Sequence, residues 1–178
     1  MKTRLATAWL GGCSGCHMSL LDMDERLLDL AGRMDLVYGP LVDAKEFPQA
    51  VDVTLVEGAV ANEDHLALVR RIRERTRVLV ALGDCAVSGN VTAMRNTLGS
   101  ALPVLERVYR DPAVLGGAIP SDAGILPPLL DRVLPVHHVV AVDHFLPGCP
   151  PHADLVHDLL SALLDGKAPP LAGRIRFG

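Results

Sequence analysis

Four cysteines are the residues of this chain whose type and spacing point most directly to chemistry. Cys13 and Cys16 form a C-x-x-C pair, whereas Cys85 and Cys149 stand singly and much further along the sequence. Each lies among glycines and prolines, in loop-like segments where backbone amides are able to point at sulfur. Four thiolates are the ligand set of an iron–sulfur cubane, whose reduction potential depends on burial and on hydrogen bonds to sulfur. We therefore predict a ligand site on these residues rather than four small buried apolar side chains.

The first motif leaves several kinds of site to be weighed. The segment from Cys13 to His17 matches C-x-x-C-H, the attachment signature of c-type haem, but haem would leave Cys85 and Cys149 without a role. A thioredoxin-like dithiol has the same shortcoming, since it needs only Cys13 and Cys16. Structural zinc is the stronger alternative, although zinc sites usually take their other two ligands from a second close pair. The residues alone favour a cluster and leave zinc open.

Apolar segments that end in glycine or a polar turn divide the chain into alternating strands and helices. Such alternation predicts an α/β fold with a doubly wound parallel sheet. The stretch Ala86–Pro128 is interrupted by many glycines and prolines and is expected to be irregular, and the tail after Lys167 is expected to be extended. The predicted strands are Arg4–Leu10, Asp35–Val42, Val51–Val56, Arg77–Leu82 and His138–Val142, and the predicted helices are Ser19–Arg33, Asn62–Thr76, Leu129–Leu134 (a short fragment) and Ala153–Leu164.

The predicted strands also place the cysteines. In doubly wound sheets, ligands bind outside the carboxyl ends of the strands. Cys13, Cys85 and Cys149 each follow a predicted strand immediately or within a few residues, and Cys16 lies one turn beyond Cys13. We therefore expect three distant segments to bring the four thiols together at one edge of the sheet.

Length and charge exclude several classes of function. A chain of 178 residues is the size of one domain, so we expect a single domain over residues 1–178. The net charge is −4 and the arginines are scattered among acids, which disfavours a nucleic-acid partner. No apolar run reaches the ~18 residues that a membrane-spanning helix requires, so we expect no direct membrane insertion. The apolar start, Leu5–Leu10, is too short for a signal peptide, and a cytoplasmic location is expected.

Four motifs spread over nearly the whole chain resemble those of one protein family. They are Trp9–Ser19 with its C-x-x-C pair, Val56–Val60, Gly83–Ala86 and Leu146–Pro151. Together they resemble the small subunit of nickel–iron hydrogenases, most closely the short type found in soluble, bidirectional, NAD-reducing enzymes. The cluster-bearing quinone-reductase subunit of respiratory complex I is related but matches less well, because it carries adjacent cysteines at the first motif.

The resemblance implies a fold, a cofactor and partners. It implies a flavodoxin-like domain with one [4Fe-4S] cluster bound by Cys13, Cys16, Cys85 and Cys149 at the carboxyl ends of the strands. Such a subunit relays electrons between the nickel–iron centre of a hydrogenase large subunit and a diaphorase module, with FMN and further iron–sulfur clusters, that reduces NAD. The chain itself would be part of an enzyme without holding its active site, and NAD is inferred from the resemblance because no G-x-G-x-x-G motif is present. A zinc-stabilised binding module and a complex I-like electron-transfer subunit are the alternatives.

Two residues beside the cysteines are candidates for further roles. Glu57 ends a strongly apolar strand, where a carboxylate would lie near the cluster, so it is a candidate proton relay. The alternative for Glu57 is a structural carboxylate that caps a helix or pairs with arginine. His17 is a candidate hydrogen-bond donor to a cluster sulfide or to nearby backbone, and the alternative is a partly exposed residue in the first helical turn.

Five polar residues near Cys85 and Cys149 have weaker functional signals. Asp84 and Asn90 flank Cys85 and are expected to order its loop. His152 forms a C-x-x-H pattern with Cys149, and His144 and His157 lie close to it in sequence, which suggests a metal site. We expect these three histidines instead to be surface and helix-capping residues.

Overall fold

The computed structural model describes residues 2–110 and 116–177, and a five-stranded parallel sheet forms its centre. The strands are β1 Thr3–Trp9, β2 Met34–Tyr38, β3 Val51–Glu57, β4 Val60–Asn62, β5 Thr76–Leu82, β6 Leu129–Leu134 and β7 His144–Leu146. The central sheet has the order β2-β1-β3-β5-β7, so its five strands follow the chain order 2-1-3-4-5 of a flavodoxin-like sheet. A two-stranded antiparallel sheet pairs β4 with β6. The predicted α/β, doubly wound fold is confirmed.

Apolar residues on both faces of the sheet hold the helices in place. The helices are α1 Gly15–Leu21, α2 Arg26–Arg33, α3 Glu63–Arg75, α4 Gly83–Ser88, α5 Leu102–Tyr109 and α6 Ala153–Leu164, with 3-10 helices over Asn90–Leu98 and Val136–His138. Leu5 and Leu55 face one buried cluster, which includes residues of α1, α2 and α6, while Ala6 and Val56 face a second cluster that includes residues of α3. A sheet covered on both faces explains why successive residues of β1, β3 and β5 are buried.

The register of the sheet aligns the carboxyl ends of four strands. Trp9 pairs with Glu57, Glu57 with Leu82, and Leu82 with Leu146. These four residues therefore form one row across the sheet, at the ends of β1, β3, β5 and β7. Neighbouring strands are about 4.8 Å apart, so four loops leave the sheet within roughly 15 Å of one another.

Two predicted elements near the end of the chain are wrong. The predicted strand His138–Val142 is not a strand, since a 3-10 helix ends at His138 and the fifth strand of the sheet, β7, comes later. Val136, in that 3-10 helix, is fully buried, and Val139, Val140 and Val142 pack against the same apolar cluster from a turn and irregular chain. The predicted helical fragment Leu129–Leu134 is strand β6, because Val60 of β4 pairs with Leu134. Periodicity does not separate short apolar segments of these kinds.

The remaining differences concern boundaries. The predicted helix Ser19–Arg33 is two helices, α1 and α2, separated by a turn in which Asp24 has a φ of +51°. The second predicted strand ends early, at Tyr38. The stretch Ala86–Pro128 holds the second half of α4, the longer 3-10 helix and α5, so it is more regular than expected. Residues 111–115 of this stretch lie outside the described residues. Within residues 2–110 and 116–177, no helix has the length and apolar character needed to cross a bilayer.

Candidate metal centre

The loop after β1 carries the first two cysteines. It is fastened to the loop after β3 by two hydrogen bonds of 2.9 Å between the backbones of Gly11 and Ala59. Ser14 then takes a left-handed conformation with φ of +65°, and α1 begins at the next residue. This turn directs the two thiols differently, since Cys13 is exposed and Cys16 is buried.

The loop after β5 passes directly beneath the buried thiol. Gly83 has a φ of +81°, and a Cβ atom built on it would overlap the Cys16 Sγ atom and lie 3.5 Å from the Gly148 carbonyl oxygen. Only glycine combines this backbone conformation with the space that the Cys16 sulfur occupies. The turn at Gly83 was identifiable from the sequence, but nothing in the sequence indicated that a ligand side chain would fill the space beside it.

Asp84 joins the loop after β5 to the loop after β7. The Gly148 amide donates a hydrogen bond to Asp84 Oδ1 at 2.7 Å, and the Asp84 amide donates one to the Gly148 carbonyl at 2.9 Å. Asp84 is 4% exposed, so these bonds form away from water. Cys85 follows Asp84 and Cys149 follows Gly148, so these two hydrogen bonds fix the two cysteines relative to each other. The expectation that Asp84 orders this loop is confirmed.

All four cysteines line one cavity of about 50 Å³. Glu57 and Asp84 line it as well, together with glycine and proline residues of the three cysteine-bearing loops. The cavity lies beyond the aligned carboxyl ends of the strands, on the edge that the sequence predicts. Folding therefore brings together Cys13, Cys16, Cys85 and Cys149, which are separated by up to 136 positions (149 − 13) in the sequence.

The electrostatics of the cavity disfavour uncompensated thiolates. Burial raises the pKa of Cys16 far above its ordinary value, and the neighbouring Glu57 and the other three cysteines raise it further. Burial also raises the pKa of Cys85, and Cys13 and Cys149 add to the effect. Four thiolates at this site thus require a positively charged group between them, such as bound iron or zinc.

The shape of the cavity fits a cluster better than a single ion. Zinc holds four thiolates at about 2.3 Å and leaves no space between them. Here the four cysteines surround an open volume, and among the described residues no three His, Cys, Asp or Glu side chains converge as ligands of one metal ion. A [4Fe-4S] cluster takes four cysteine ligands around a larger body. The donor set and the cavity therefore fit such a cluster.

Glu57 and His17 form a buried pair next to the cavity. Glu57 is 1% exposed, and its Oε2 accepts a hydrogen bond from the His17 backbone amide at 2.9 Å and contacts His17 Nδ1. Because His17 is the third residue of α1, this carboxylate caps the helix and ties it to the end of β3. His17 is 6% exposed, so the alternative that it is a partly exposed residue of the first helical turn is wrong. A structural role for Glu57 is thus present, and its relay role stays a prediction.

The histidines near Cys149 do not gather into a site. His152 Nδ1 accepts a hydrogen bond from the Asp154 amide at 3.3 Å and so caps α6, as expected. His157 lies on α6 with its Nε2 atom 3.4 Å from the Ser161 hydroxyl. His144 is half-buried in β7. None of the three lines the cavity of the cysteines.

A family of known proteins matches the part of the chain that contains this cavity. The family model described as NADH ubiquinone oxidoreductase, 20 kDa subunit, matches residues 13–163, which include all four cysteines. The chain belongs to this family. The match covers most of the chain and begins at the first cysteine of the cavity.

Hydrogenase subunits are among the most similar relatives. A subunit of the vhu F420-non-reducing hydrogenase of Methanococcus voltae is 42% identical over 176 residues, which are 98% of this chain and 60% of the relative. The delta subunit of the NAD-reducing hydrogenase HoxS of Cupriavidus necator is 37% identical over 169 residues, 93% of this chain and 80% of the relative. This chain thus spans about 60% of the length of the first relative. The resemblance to hydrogenase small subunits that the motifs indicate is confirmed.

A solved structure matches the fold over its full length. A chain in the crystal structure of NAD+-reducing NiFe hydrogenase in the H2-reduced state aligns with a TM-score of 0.95 at 40% identity, covering 100% of both chains. A chain of the NiFeSe hydrogenase of Desulfomicrobium baculatum aligns with a TM-score of 0.57 at 21% identity, which shows a shared fold. The flavodoxin-like fold expected from the motifs is therefore that of a hydrogenase subunit.

Proposed function

We propose that this chain is the electron-transferring small subunit of a cytoplasmic, NAD-reducing nickel–iron hydrogenase. In this proposal Cys13, Cys16, Cys85 and Cys149 bind one [4Fe-4S] cluster. The observation that carries it is the single cavity, lined by all four cysteines, at the carboxyl edge of the sheet. When bound, the cluster accepts and releases one electron at a time.

The residues around the cavity hold the ligands rather than perform bond chemistry. Gly83 leaves the space that the Cys16 sulfur needs. The hydrogen bonds between Asp84 and Gly148 hold the loops of Cys85 and Cys149 together. Glu57 anchors α1, which carries Cys16. Because these contacts link loops that leave one sheet at the ends of its strands, they hold the four cysteines close to one another.

Partner subunits supply the rest of the electron path in this proposal. The nickel–iron centre belongs to the hydrogenase large subunit, and FMN and further iron–sulfur clusters belong to a diaphorase module that reduces NAD. The 178 residues contain four cysteines, enough ligands for one such cluster. The likeness to the HoxS delta subunit supports NAD as the acceptor, whereas the vhu relative is described as F420-non-reducing and its description names no acceptor.

A complex I-like subunit is the second candidate, since the matching family model carries the name of an NADH ubiquinone oxidoreductase subunit. The hydrogenase relatives favour the first candidate. The two differ in what the assembled complex does. Hydrogen-dependent reduction of NAD+ supports the hydrogenase, and quinone reduction without hydrogen activity supports the alternative.

Metal content tests the cluster directly. We expect the anaerobically purified chain, alone or with its partners, to be brown and to hold about four irons. Serine at any of the four cysteines should lower the iron content, whereas Ser14→Gly, in the same loop as Cys13 and suited to its positive φ, should retain it. A colourless protein with one bound zinc would overturn the proposal in favour of a zinc-stabilised module.

Glu57 is the proposed proton relay beside the cluster. Its burial and its place on the cavity support the proposal. In Glu57→Gln the side-chain oxygen still accepts from the His17 amide, so α1 keeps its anchor while the ionisable group is lost. We expect slower hydrogen oxidation by the assembled enzyme with unchanged iron content, and unchanged turnover would refute the relay.

A further inference from the structure

Asn90 follows Cys85 in the chain and reaches Cys149, a cysteine on a different loop. Its Nδ2 atom lies 3.5 Å from the Cys149 Sγ atom, within hydrogen-bonding range for a sulfur acceptor. The side-chain amide nitrogen of asparagine is a donor only, so Asn90 donates and the sulfur accepts in this contact. Asn90 therefore offers an N–H group to a cluster ligand that is itself exposed.

The backbone holds Asn90 in position for this contact. Gly89 and Asn90 have φ values of +88° and +40°, and the Gly89 amide donates to the Cys85 carbonyl at 2.9 Å, which closes α4. Asparagine is one of the few residues with a Cβ that enters the left-handed region readily. Asn90 is thus tied through the backbone to the Cys85 loop and through its side chain to Cys149.

A hydrogen-bond donor at this position changes the reduction potential of a bound cluster. Reduction adds one electron to the iron–sulfur core and moves no proton, so the ligand sulfurs become more negative. A hydrogen bond to a negatively charged acceptor is stronger than one to a neutral acceptor, and hydrogen bonds to the sulfurs help set cluster potentials. The N–H of Asn90 therefore stabilises the reduced form more than the oxidised form.

We propose that Asn90 raises the reduction potential of the cluster by donating a hydrogen bond to the Cys149 sulfur. The inference rests on the proposed function, since it requires the cluster to be bound. It gives Asn90 a tuning role in the electron relay that is separate from ligation and from ordering the loop.

Substitutions that fit the left-handed backbone test the inference without distorting the loop. Asn90→Gly removes the donor and suits the positive φ, and Asn90→Asp replaces the donor with a carboxylate. Ala50→Gly is the matched control, because Ala50 also has a positive φ, +54°, but precedes β3 at the opposite edge of the sheet. The readout is the midpoint potential of the reconstituted full chain, titrated with dithionite and followed by electron paramagnetic resonance.

We expect Asn90→Gly to hold full iron and to show about a fivefold lower ratio of reduced to oxidised cluster at fixed ambient potential. At 59 mV per tenfold change, fivefold is a shift of about −40 mV. Asn90→Asp should shift further in the same direction because its negative charge opposes the added electron. Electron–nuclear double resonance should also show an exchangeable proton near the cluster in the native chain that Asn90→Gly lacks.

Equal potentials for Asn90→Gly and Ala50→Gly would overturn the inference, as would retention of that exchangeable proton in Asn90→Gly. A potential for Asn90→Asp at or above that of the native chain would do so as well. A native chain that binds no iron refutes the proposed function instead, so the two failures are distinguishable.

Discussion

The position of Gly83 beneath the Cys16 sulfur makes Gly83→Ala the sharpest test of how the loops hold the site. The added methyl group would overlap Cys16 Sγ, and the backbone at φ of +81° would be strained. The left-handed conformation costs a residue with a Cβ roughly 1–2 kcal/mol. Overpacking a rigid site typically costs a further ~1–3 kcal/mol. We therefore expect the free energy of unfolding to fall by about 2–5 kcal/mol.

Gly99→Ala separates the two contributions. Gly99 has nearly the same φ, +83°, but a Cβ built on it meets no atom within 4 Å. Gly99→Ala should therefore lose only the conformational part, roughly 1–2 kcal/mol. The difference between the two variants, about 1–3 kcal/mol, measures the overlap with the Cys16 sulfur.

Urea unfolding and iron content provide the assay. Gly83→Ala should unfold at lower urea than Gly99→Ala and should bind less iron, because the Cys16 sulfur has to move out of the ligand position. For a chain of this size, 1 kcal/mol corresponds to roughly 2–4 °C in melting temperature, so a thermal scan also resolves the difference. If the two variants are equally stable and hold equal iron, the assignment of Cys16 to the space beside Gly83 is refuted.

Two further predictions concern the surroundings of the site. Asp84→Ala removes the acceptor of the buried Gly148 amide, so we expect about 2 kcal/mol lower stability in urea, with Asp84→Asn costing less because it keeps an acceptor oxygen. An equal loss in both variants would contradict this. Burial lowers the pKa of His65, although Asp64 opposes the shift, so the unfolded chain binds the proton more readily. Stability should therefore fall as pH drops below about 6.5, and this slope should be shallower in His65→Gln when unfolding is measured between about pH 5.5 and 7.5, with a remainder from His137, whose pKa burial and the neighbouring His138 also lower.

The central sheet was predictable because buried parallel strands have a clear sequence pattern. Val51–Glu57 is rich in β-branched residues, Thr76–Leu82 finishes with five apolar residues, and a glycine follows each strand. Both predicted strands match the structure within a residue. The later segments lack such a pattern. Strand β6 forms where Asn96 exchanges two hydrogen bonds with the backbone of Val133, at 2.7 and 2.9 Å, a contact between segments 37 positions apart. Local propensity does not contain this information.

The four cysteines of the site were predictable from the sequence, but the contacts that hold them in place were not. Cysteines that follow strands of one parallel sheet are expected at one edge, and the structure places all four on one cavity there. Two contacts depend on how separate loops meet: the hydrogen bonds between Asp84 and Gly148, and the packing of Cys16 against Gly83. The spacing of residues in the sequence does not predict such contacts. The single domain over residues 1–178, the cytoplasmic location and the cluster itself stay predictions.

The four ligands are unequal in burial, and this bears on how the proposed cluster would work. Cys16 is buried and Cys85 is half-buried, whereas Cys13 and Cys149 are exposed. Solvent exposure is one of the factors that set cluster potentials, and removing water from charged sulfur disfavours the more negative, reduced form. A partner subunit that covers Cys13 and Cys149 would therefore lower the potential, while a donor such as Asn90 acts in the opposite direction. The potential at which the relay operates is thus a property of the assembled complex, and the contacts within this chain supply only part of it.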